Sequence, residues 1–301
     1  MNFIASQYYN DTERNIHIFS SALSQDRVIA LIGGVFTQGN LKYKDIYDML
    51  RIIINMNIHE MRLVQIQDWR YSPRINQQLE PHQFQSMTSQ VYQHLPPNPP
   101  ATNYIPIGDY ILFIFNRPGS CYPEVPDLKT TPIQGRTTRA SVTATNQSAR
   151  STNVRTAVRS RDGGCRISGF PCLNRRRGPN YKGFQVAHIF PLAYVNKDVA
   201  WKVSNRQAAD VVTNAILLRS DIHDQFDDYQ ISCRSDNQLV RFERNGAPNV
   251  VLSPNPLAPT YITRPASVAS TTRDFDSDLM QHHYRTAVLW HVAGYGRRLG
   301  Q

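Results

Sequence analysis

The amino-acid sequence predicts an α+β protein, with an N-terminal α+β unit, a flexible linker and a C-terminal α+β unit. Short apolar strand signals and amphipathic helix signals occur in both halves of the 301-residue chain, and hydrophobic residues make up 41% of it. That apolar share is sufficient for folded cores and excludes wholesale disorder. The chain length favours two units, and no internal repeat or heptad pattern is visible.

The predicted N-terminal domain covers residues 1–125. Its strand signals are runs rich in branched and aromatic residues at Ile16 to Phe19, Val28 to Phe36, Met61 to Gln67 and Tyr110 to Phe115. Apolar residues at helical spacing predict a helix over 41–56. Gly33 and Gly34 indicate a bulge or turn, because no phosphate-binding glycine motif accompanies them. No catalytic constellation is visible in this half.

The composition changes between residues 126 and 153, where Thr, Ser, Arg and Ala dominate and large apolar residues are almost absent. Such a segment cannot bury enough surface to offset the entropy lost on ordering. We therefore expect a flexible linker between the two folded units.

The predicted C-terminal domain covers residues 154–301. A short basic helix over 154–161 opens it, and short apolar segments follow at 184–188 and 215–218, the first of them expected to be a strand. Ser220 is expected to be the N-cap of a helix that extends to Asp227. A strand pair at 229–233 and 239–242 follows, and the apolar spacing over 277–292 predicts a long amphipathic helix.

Charge and composition narrow the classes of function. Lys and Arg total 33 against 23 Asp and Glu, which gives a net charge of +10 and favours a polyanionic partner. No apolar run reaches the roughly 18–20 residues that span a bilayer, so no membrane partner is expected. The N-terminal residues lack the pattern of a signal peptide, and four cysteines are too few for a disulfide framework. We therefore expect an intracellular protein of the nucleus or cytoplasm.

Four residues of the C-terminal unit carry a candidate chemistry: His188, Asn214, His223 and Asp227. His223 and Asp227 are four residues apart, so on a helix an imidazole and a carboxylate project from one face and can share a divalent cation. His188 follows an apolar strand and can take a proton from water, and the amide of Asn214 can fix the local loop or orient the base. Phosphodiester hydrolysis needs a general base and a cation of this kind.

Three motifs make the sequence resemble an HNH nuclease of the His-Me finger, or ββα-metal, class. They are CRISG at 165–169, GFQVAHIFPL at 183–192 and NAILLRSDIHDQFDDYQIS at 214–232. The resemblance is nearest to the HNH-domain proteins of filamentous fungi, and the flanking segments IHIF, LIGGVF, YDMLRIII and SDLMQHHYRTAVLWHVAGYG extend it less specifically.

The resemblance implies a role for each residue. His188 corresponds to the general base, Asn214 to the Asn that supports the metal loop, and His223 to the metal ligand on the helix. Asp227 resembles an additional ligand that some HNH enzymes use. Many members place Asp or His directly before the base, whereas this chain has Ala187, which cannot coordinate a metal.

Two further groups of residues bear on function. Arg175, Arg176 and Arg177 form a basic turn; it is either solvated or, beside a nuclease centre, in contact with phosphate, and we favour phosphate contact. The cysteines lack the two C-x-x-C pairs of a structural zinc site, so buried free thiols are expected rather than Zn²⁺.

The sequence thus predicts a divalent-metal-dependent nuclease that hydrolyses phosphodiester bonds. Mg²⁺ is the expected ion, with Mn²⁺ or Ni²⁺ as alternatives, and the resemblance favours DNA over RNA. A catalytically weak or inactive HNH-fold protein that binds nucleic acid or acts through interactions is the alternative, because Ala187 departs from the family pattern. A third possibility is that the N-terminal domain recognises a protein partner and restrains the nuclease.

Overall fold

The computed structural model combines helices and strands in both halves of the chain, as the predicted α+β class requires. It describes residues 14–23, 29–37, 39, 41–67, 81–117, 152–176, 178–192, 195, 203, 205–242, 261–262 and 274–292. Most of the predicted linker, residues 126–151, lies outside these ranges. Thr152 and Asn153, which were assigned to the linker, instead form the first turn of a helix.

A four-stranded sheet forms the N-terminal half. Its strands are β1 (Ile16–Leu23), β2 (Ile29–Val35), β3 (Glu60–Gln65) and β4 (Gly108–Phe115), and their order across the sheet is β2-β1-β4-β3. β1 and β4 are parallel, whereas the two outer pairings are antiparallel. Each strand matches a run that the sequence predicted, with bounds shifted by a few residues.

The two faces of this sheet pack against different helices. Strand alternation in β4 directs Leu112 and Ile114 towards α1 (Tyr43–Ile53), whereas Ile111 and Phe113 face α2 (Pro81–Gln93) through Phe84. Helix α2 was not predicted from the sequence. Most of its residues are polar and exposed, so its apolar spacing is weak.

Gly33 and Gly34 lie at a bulge in β2, as expected, because β1 residue Ile18 pairs with Gly33 and the next β1 residue pairs with Leu31. They also allow another part of the chain to approach. The Gly34 amide donates to the carbonyl of Val292 at 2.9 Å, and a Cβ on Gly33 would lie 2.5 Å from that same oxygen. Glycine is therefore required here for the C-terminal helix to end against the sheet.

Four helices and three two-stranded ribbons form the described part of the C-terminal half. In chain order these elements are α3 (Thr152–Asp162), β5 (Leu173–Arg175), β6 (Gly178–Asn180), β7 (Phe184–His188), α4 (Arg206–Ala209), β8 (Ala215–Arg219), α5 (Ser220–Asp227), β9 (Ile231–Cys233), β10 (Leu239–Arg241) and α6 (Ser277–His291). The strands pair antiparallel as β5-β6, β7-β8 and β9-β10.

The predicted N-cap of α5 was wrong. Ser220 is already helical, and Arg219 is the N-cap residue, with extended backbone and no side-chain capping bond. The hydroxyl of Ser220 instead accepts a hydrogen bond from the amide of Gln185 at 3.3 Å. Helix α5 therefore starts directly at the end of β8, without a separate capping turn.

Helix α6 packs into the hydrophobic cores of both halves of the chain. Its first turns place Leu279 and Met280 in the core beneath β7 and α5, and its later turns place Ala287 and Val288 in the core of α1 and the N-terminal sheet. An ion pair between Arg234 and Asp45 also joins the halves. The division into two domains separated by residues 126–153 stays a prediction. In the described residues, helix α6 and the Arg234–Asp45 ion pair connect the two halves.

In the described segments, no helix combines the length and the apolar character needed to cross a bilayer.

The contact between α6 and α5 depends on the imidazole of His283. The ring stacks on Phe226 with centroids 3.9 Å apart, its Nε2–H donates to the Phe226 carbonyl at 3.1 Å, and Nδ1 accepts from the Ser232 hydroxyl at 2.7 Å. Nδ1 can accept only in the neutral ring. Burial lowers the pKa of His283 to about 3, so the ring stays neutral in the folded protein near neutral pH.

We predict that acidification destabilises the protein through His283. Below the ordinary histidine pKa of about 6.5, the unfolded chain takes up a proton that the folded chain does not, so stability is lost as the pH falls towards 3. From pH 7 to pH 5 the free energy of unfolding should fall by about 2 kcal/mol from this residue alone. Urea unfolding at both pH values measures the loss.

The variant His283→Asn should lose this part of the pH dependence, although it is less stable at pH 7. His82→Asn is the control, because His82 is exposed on α2, and it should keep the wild-type pH dependence. An equal pH dependence in wild type and His283→Asn would assign the acid sensitivity to other groups.

Candidate active site

His188 is the last residue of β7, paired with Ala215 at the start of β8. Its side chain is buried, and its Nε2 lies 3.0 Å from Oδ1 of Asp210. Asp210 was not among the residues predicted from the sequence. It follows the short helix α4 and is 22 residues from His188, so no local spacing signals the contact.

Asn214 is fully buried, and its side-chain amide forms hydrogen bonds to two separate chain segments. Its Oδ1 accepts from the backbone N–H of Phe190 at 2.8 Å, and its Nδ2 donates to the carbonyls of Phe190 at 3.0 Å and Ala209 at 2.8 Å. The backbone carbonyl of Asn214 also accepts from Ile189. The amide therefore fixes the loop that leaves His188, one of the two functions expected of it.

His223 and Asp227 lie one turn apart on α5, as the sequence predicted. Their Nε2 and Oδ2 atoms are 3.3 Å apart, with the His223 side chain 5% exposed and the Asp227 side chain 54% exposed. α5 continues directly from β8 and packs against β7. The ribbon that carries His188 thus also supports the helix that carries this pair.

Two ion pairs involve the candidate histidines: His188 pairs with Asp210, and His223 pairs with Asp227. Within the part of the chain that the structure describes, no group of three or more His, Cys, Asp or Glu side chains could hold a metal ion together. Ala187 is fully buried in the core with Ile189, so it adds no ligand. On α5, His223 and Asp227 are thus an imidazole–carboxylate pair among the described residues.

A buried ionic cluster, which the sequence analysis missed, lies behind the β7-β8 ribbon. Asp162 accepts from Arg161 at 2.7 and 2.9 Å, from Arg166 at 3.1 Å and from the backbone N–H of Leu217 at 2.7 Å. Arg166 in turn donates two hydrogen bonds to Asp274, just before α6. Burial works against the Arg166 charge, but the hydrogen bonds to Asp274 and the charge of Asp162 leave its pKa raised.

Arg161 extends this cluster to the Asn214 turn. Its guanidinium donates to the carbonyl of Val212 at 2.9 Å and to the carbonyl of Ala215 at 2.6 Å, on either side of Asn214. The turn is thus held by a charged side chain that has no exposure to water. The Arg161–Asp162 pair stands just before Gly163-Gly164, where the sequence indicated only the end of a helix.

Of the basic turn predicted at 175–177, Arg175 ends β5 of the β5-β6 hairpin and Arg176 follows it. Arg175 and Arg176 are exposed, and Arg177 lies outside the described residues. Leu173 on the same hairpin is 62% exposed, and Phe170, three residues before it, is 51% exposed. The hairpin and the segment that leads into it therefore expose both apolar and basic side chains.

The described cysteines are free thiols. Cys165 and Cys233 are buried and Cys172 is partly buried. Burial raises the pKa of the Cys233 thiol to about 12 and also raises the pKa of Cys172, which keeps both in the protonated form. Cys121 lies outside the described residues.

Comparison with known proteins assigns this region to a family. Residues 165–233 match the family model described as HNH endonuclease. The chain carries an HNH endonuclease domain. Each candidate site residue predicted from the sequence lies inside this HNH domain, as do the β7-β8 ribbon and α5.

Among solved structures, the chain is similar to a "Modification dependent TagI restriction endonuclease", with 21% sequence identity and a TM-score of 0.29. The match covers 46% of this chain and 38% of that protein, so the chain spans well under half of its length. No curated protein matches the sequence. The resemblance to fungal HNH-domain proteins stays a prediction.

Proposed function

We propose that the protein is a divalent-metal-dependent HNH nuclease that hydrolyses phosphodiester bonds, with His188 as general base. The observation that carries the proposal is the arrangement of the HNH domain: a buried imidazole ends β7, a buried amide staples the loop beside it, and an imidazole–carboxylate pair lies on α5. These are a proton acceptor, its support and a pair of metal ligands, the parts required for hydrolysis of a phosphodiester.

His188 would take a proton from the water that attacks phosphorus. Its imidazole is held on a strand rather than on a loop, and Asn214 fixes the chain on the other side of it. A positioned general base of this kind accelerates the reaction by a factor on the order of 10²–10⁴. Asn214 contacts the loop rather than the reacting groups, so it acts as a positioning residue.

His223 and Asp227 fit a divalent cation by their chemistry and spacing. An imidazole nitrogen and a carboxylate oxygen 3.3 Å apart can bind one ion from the same side, and the exposure of Asp227 leaves that ion open to water and substrate. When bound, the cation offsets the charge on the scissile phosphate and the leaving oxygen. Mg²⁺ is the proposed ion, with Mn²⁺ and Ni²⁺ as alternatives.

The proposed substrate is nucleic acid, and the resemblance of the motifs favours DNA over RNA. A net charge of +10 and the exposed arginines of the β5-β6 hairpin support a polyanionic substrate. An intracellular setting and a protein partner that binds residues 1–125 remain predictions from the sequence.

An inactive HNH fold is the competing function, and the observation that favours it is Ala187 in place of a ligand. The two functions differ in one measurement, the nicking of plasmid DNA by purified protein in Mg²⁺, Mn²⁺, Ni²⁺ or EDTA, with RNA assayed in parallel. Cleavage that needs a divalent ion is expected. Binding of DNA without cleavage in any metal would favour the inactive fold.

We predict that His188→Ala reduces cleavage by on the order of 10²–10⁴ while folding and DNA binding stay close to wild type. The reason is that the variant removes the proton acceptor and leaves the ligands on α5 in place. Single-turnover cleavage, circular dichroism and a binding titration test the three parts. A folded variant that cleaves at nearly the wild-type rate would reject His188 as the base.

A second prediction concerns metal affinity. His223→Ala and Asp227→Ala should each weaken binding of Mn²⁺ or Mg²⁺ by about tenfold or more, since even indirect supports of metal ligands are worth that much. Excess cation should partly restore cleavage. Calorimetry on both variants measures the affinity.

The matched control for metal binding is Asp224→Ala. Asp224 is an exposed carboxylate between the two proposed ligands on the same helix. Its loss removes the same negative charge as Asp227→Ala without removing a proposed ligand. Its metal affinity should stay near that of wild type. Unchanged affinity in all three variants would place the ion elsewhere.

A third prediction concerns the hairpin. Replacing Arg175, Arg176 and Arg177 by Ala should weaken DNA binding with little sequence dependence. Each lost phosphate contact should flatten the slope of log affinity against log salt by roughly 0.9. A salt titration on an uncleavable duplex measures the slope.

Loss of net charge can weaken binding without any contact, so the control must remove the same charge elsewhere. The triple variant Lys44→Ala, Arg51→Ala, Arg62→Ala does so on α1 and β3. It should leave the salt slope closer to that of wild type than the hairpin variant does. Equal slopes in wild type and the hairpin variant would show that the hairpin is a solvated turn.

A further inference from the structure

We propose that Asp210 is the positioning residue for His188: its carboxylate accepts the Nε2 hydrogen and leaves Nδ1 as the nitrogen that takes the proton from water. The inference rests on the proposed nuclease function, and it concerns a residue that no sequence motif indicated. It is carried by one contact, 3.0 Å from Asp210 Oδ1 to His188 Nε2, and by the way the fold holds both residues.

The identity of the two atoms decides the tautomer. A neutral imidazole has one N–H donor and one lone-pair nitrogen, while an ionised carboxylate only accepts hydrogen bonds. The nitrogen facing Asp210 must therefore carry the hydrogen. The other nitrogen, Nδ1, then has the lone pair that a general base needs.

Burial makes the contact specific. The side chains of His188 and Asp210 are 5% and 16% exposed, so water has limited access to the hydrogen bond between them. A carboxylate at this position restricts rotation of the ring about its Cβ–Cγ bond. It also stabilises the imidazolium that forms when Nδ1 takes a proton, because the opposite charge lies within hydrogen-bonding distance.

The fold fixes the distance between the two residues through Asn214. One end of its amide binds the backbone of Phe190, two residues after His188, and the Nδ2 group also binds the carbonyl of Ala209, directly before Asp210. A single buried side chain thus holds the segment carrying the base and the segment carrying its partner. Asn214 and Asp210 therefore orient His188 together.

The step that this arrangement serves is a proton transfer followed by substitution at phosphorus. An O–H bond of water breaks and its proton passes to Nδ1, while the water oxygen forms a bond to phosphorus. The bond from phosphorus to the leaving oxygen breaks, and that oxygen takes a proton from solvent. Asp210 keeps its charge throughout and accepts the hydrogen bond from His188 Nε2 before and after the transfer.

The test combines a spectroscopic signature with kinetics on the full-length protein. Long-range ¹H–¹⁵N correlation spectra report which ring nitrogen of His188 carries hydrogen. Wild type should give the Nε2–H tautomer, and Asp210→Ala should lose this preference. In Asp210→Ala, kcat should fall on the order of 10²-fold, within the range for removal of a base, with KM changed by less than about threefold.

Two variants guard against a simple loss of folding. Asp210→Asn keeps the shape but removes the charge, so kcat should fall in a folded protein because the imidazolium is less well stabilised. Asp278→Asn removes an exposed carboxylate in the first turn of α6 and should match wild type in every measurement. Metal affinity should be the same in all four proteins.

Three results would overturn the proposal. They are an Nδ1–H tautomer in wild type, undiminished kcat in both folded Asp210 variants, and weaker metal binding with an unchanged tautomer, which would make Asp210 a metal ligand. Failure of the nuclease proposal is distinguishable from these results. A wild-type protein that cleaves nothing rejects the activity, while its spectrum still reports whether Asp210 sets the tautomer.

Discussion

The buried carboxylate of Asp162 is the interaction on which the HNH domain depends. It accepts hydrogen bonds from two arginines, one of which also pairs with Asp274, and from the backbone N–H of Leu217 in the middle of β8. Arg161, held in this way, binds the carbonyls on both sides of Asn214. Removing one partner from such a cluster costs about 3–5 kcal/mol, because the charges left behind stay buried without compensation. The ionic network around Asp162 thus supports the β7-β8 ribbon and the turn at Asn214.

The ionic network around Asp162 is connected to the N-terminal half of the protein through helix α6. Arg166 connects Asp162 to Asp274, where the chain approaches α6, and α6 then crosses from one hydrophobic core to the other. Its end packs against the bulge at Gly33. Because this helix also holds the C-terminal end of α5 through His283, the N-terminal sheet and the helix of the proposed metal ligands share one support.

Sequence patterns predicted the elements that are defined by neighbouring residues. Strand β7 matches its predicted bounds, α5 matches within a residue, and β8 covers the apolar segment identified at 215–218, since strand and helix patterns are properties of short segments. The partners were missed where they lie far along the chain: Asp210 is 22 residues from His188, and Asp162 is 55 residues from Leu217. Such contacts depend on tertiary packing, which no spacing rule encodes. The motif thus pointed to the proposed base and the proposed ligand pair, but not to the residues that hold them in place.

The two sides of the candidate site are built differently, and their exposure explains why. On the side of the proposed base, the His188 and Asp210 side chains are only 5% and 16% exposed, so protein groups satisfy much of the polar chemistry. Asp210 pairs with His188 Nε2, and Asn214 binds the backbone of the loop that follows His188. On the side of the proposed ligand pair, the Asp227 side chain is more than half exposed, so its charge is accessible to water. A buried Ala187 would be compatible with a cation site there, because solvent and a substrate phosphate would supply further oxygen ligands. In the proposed nuclease, the fold would therefore fix the proton acceptor in advance, and the substrate would complete the cation site.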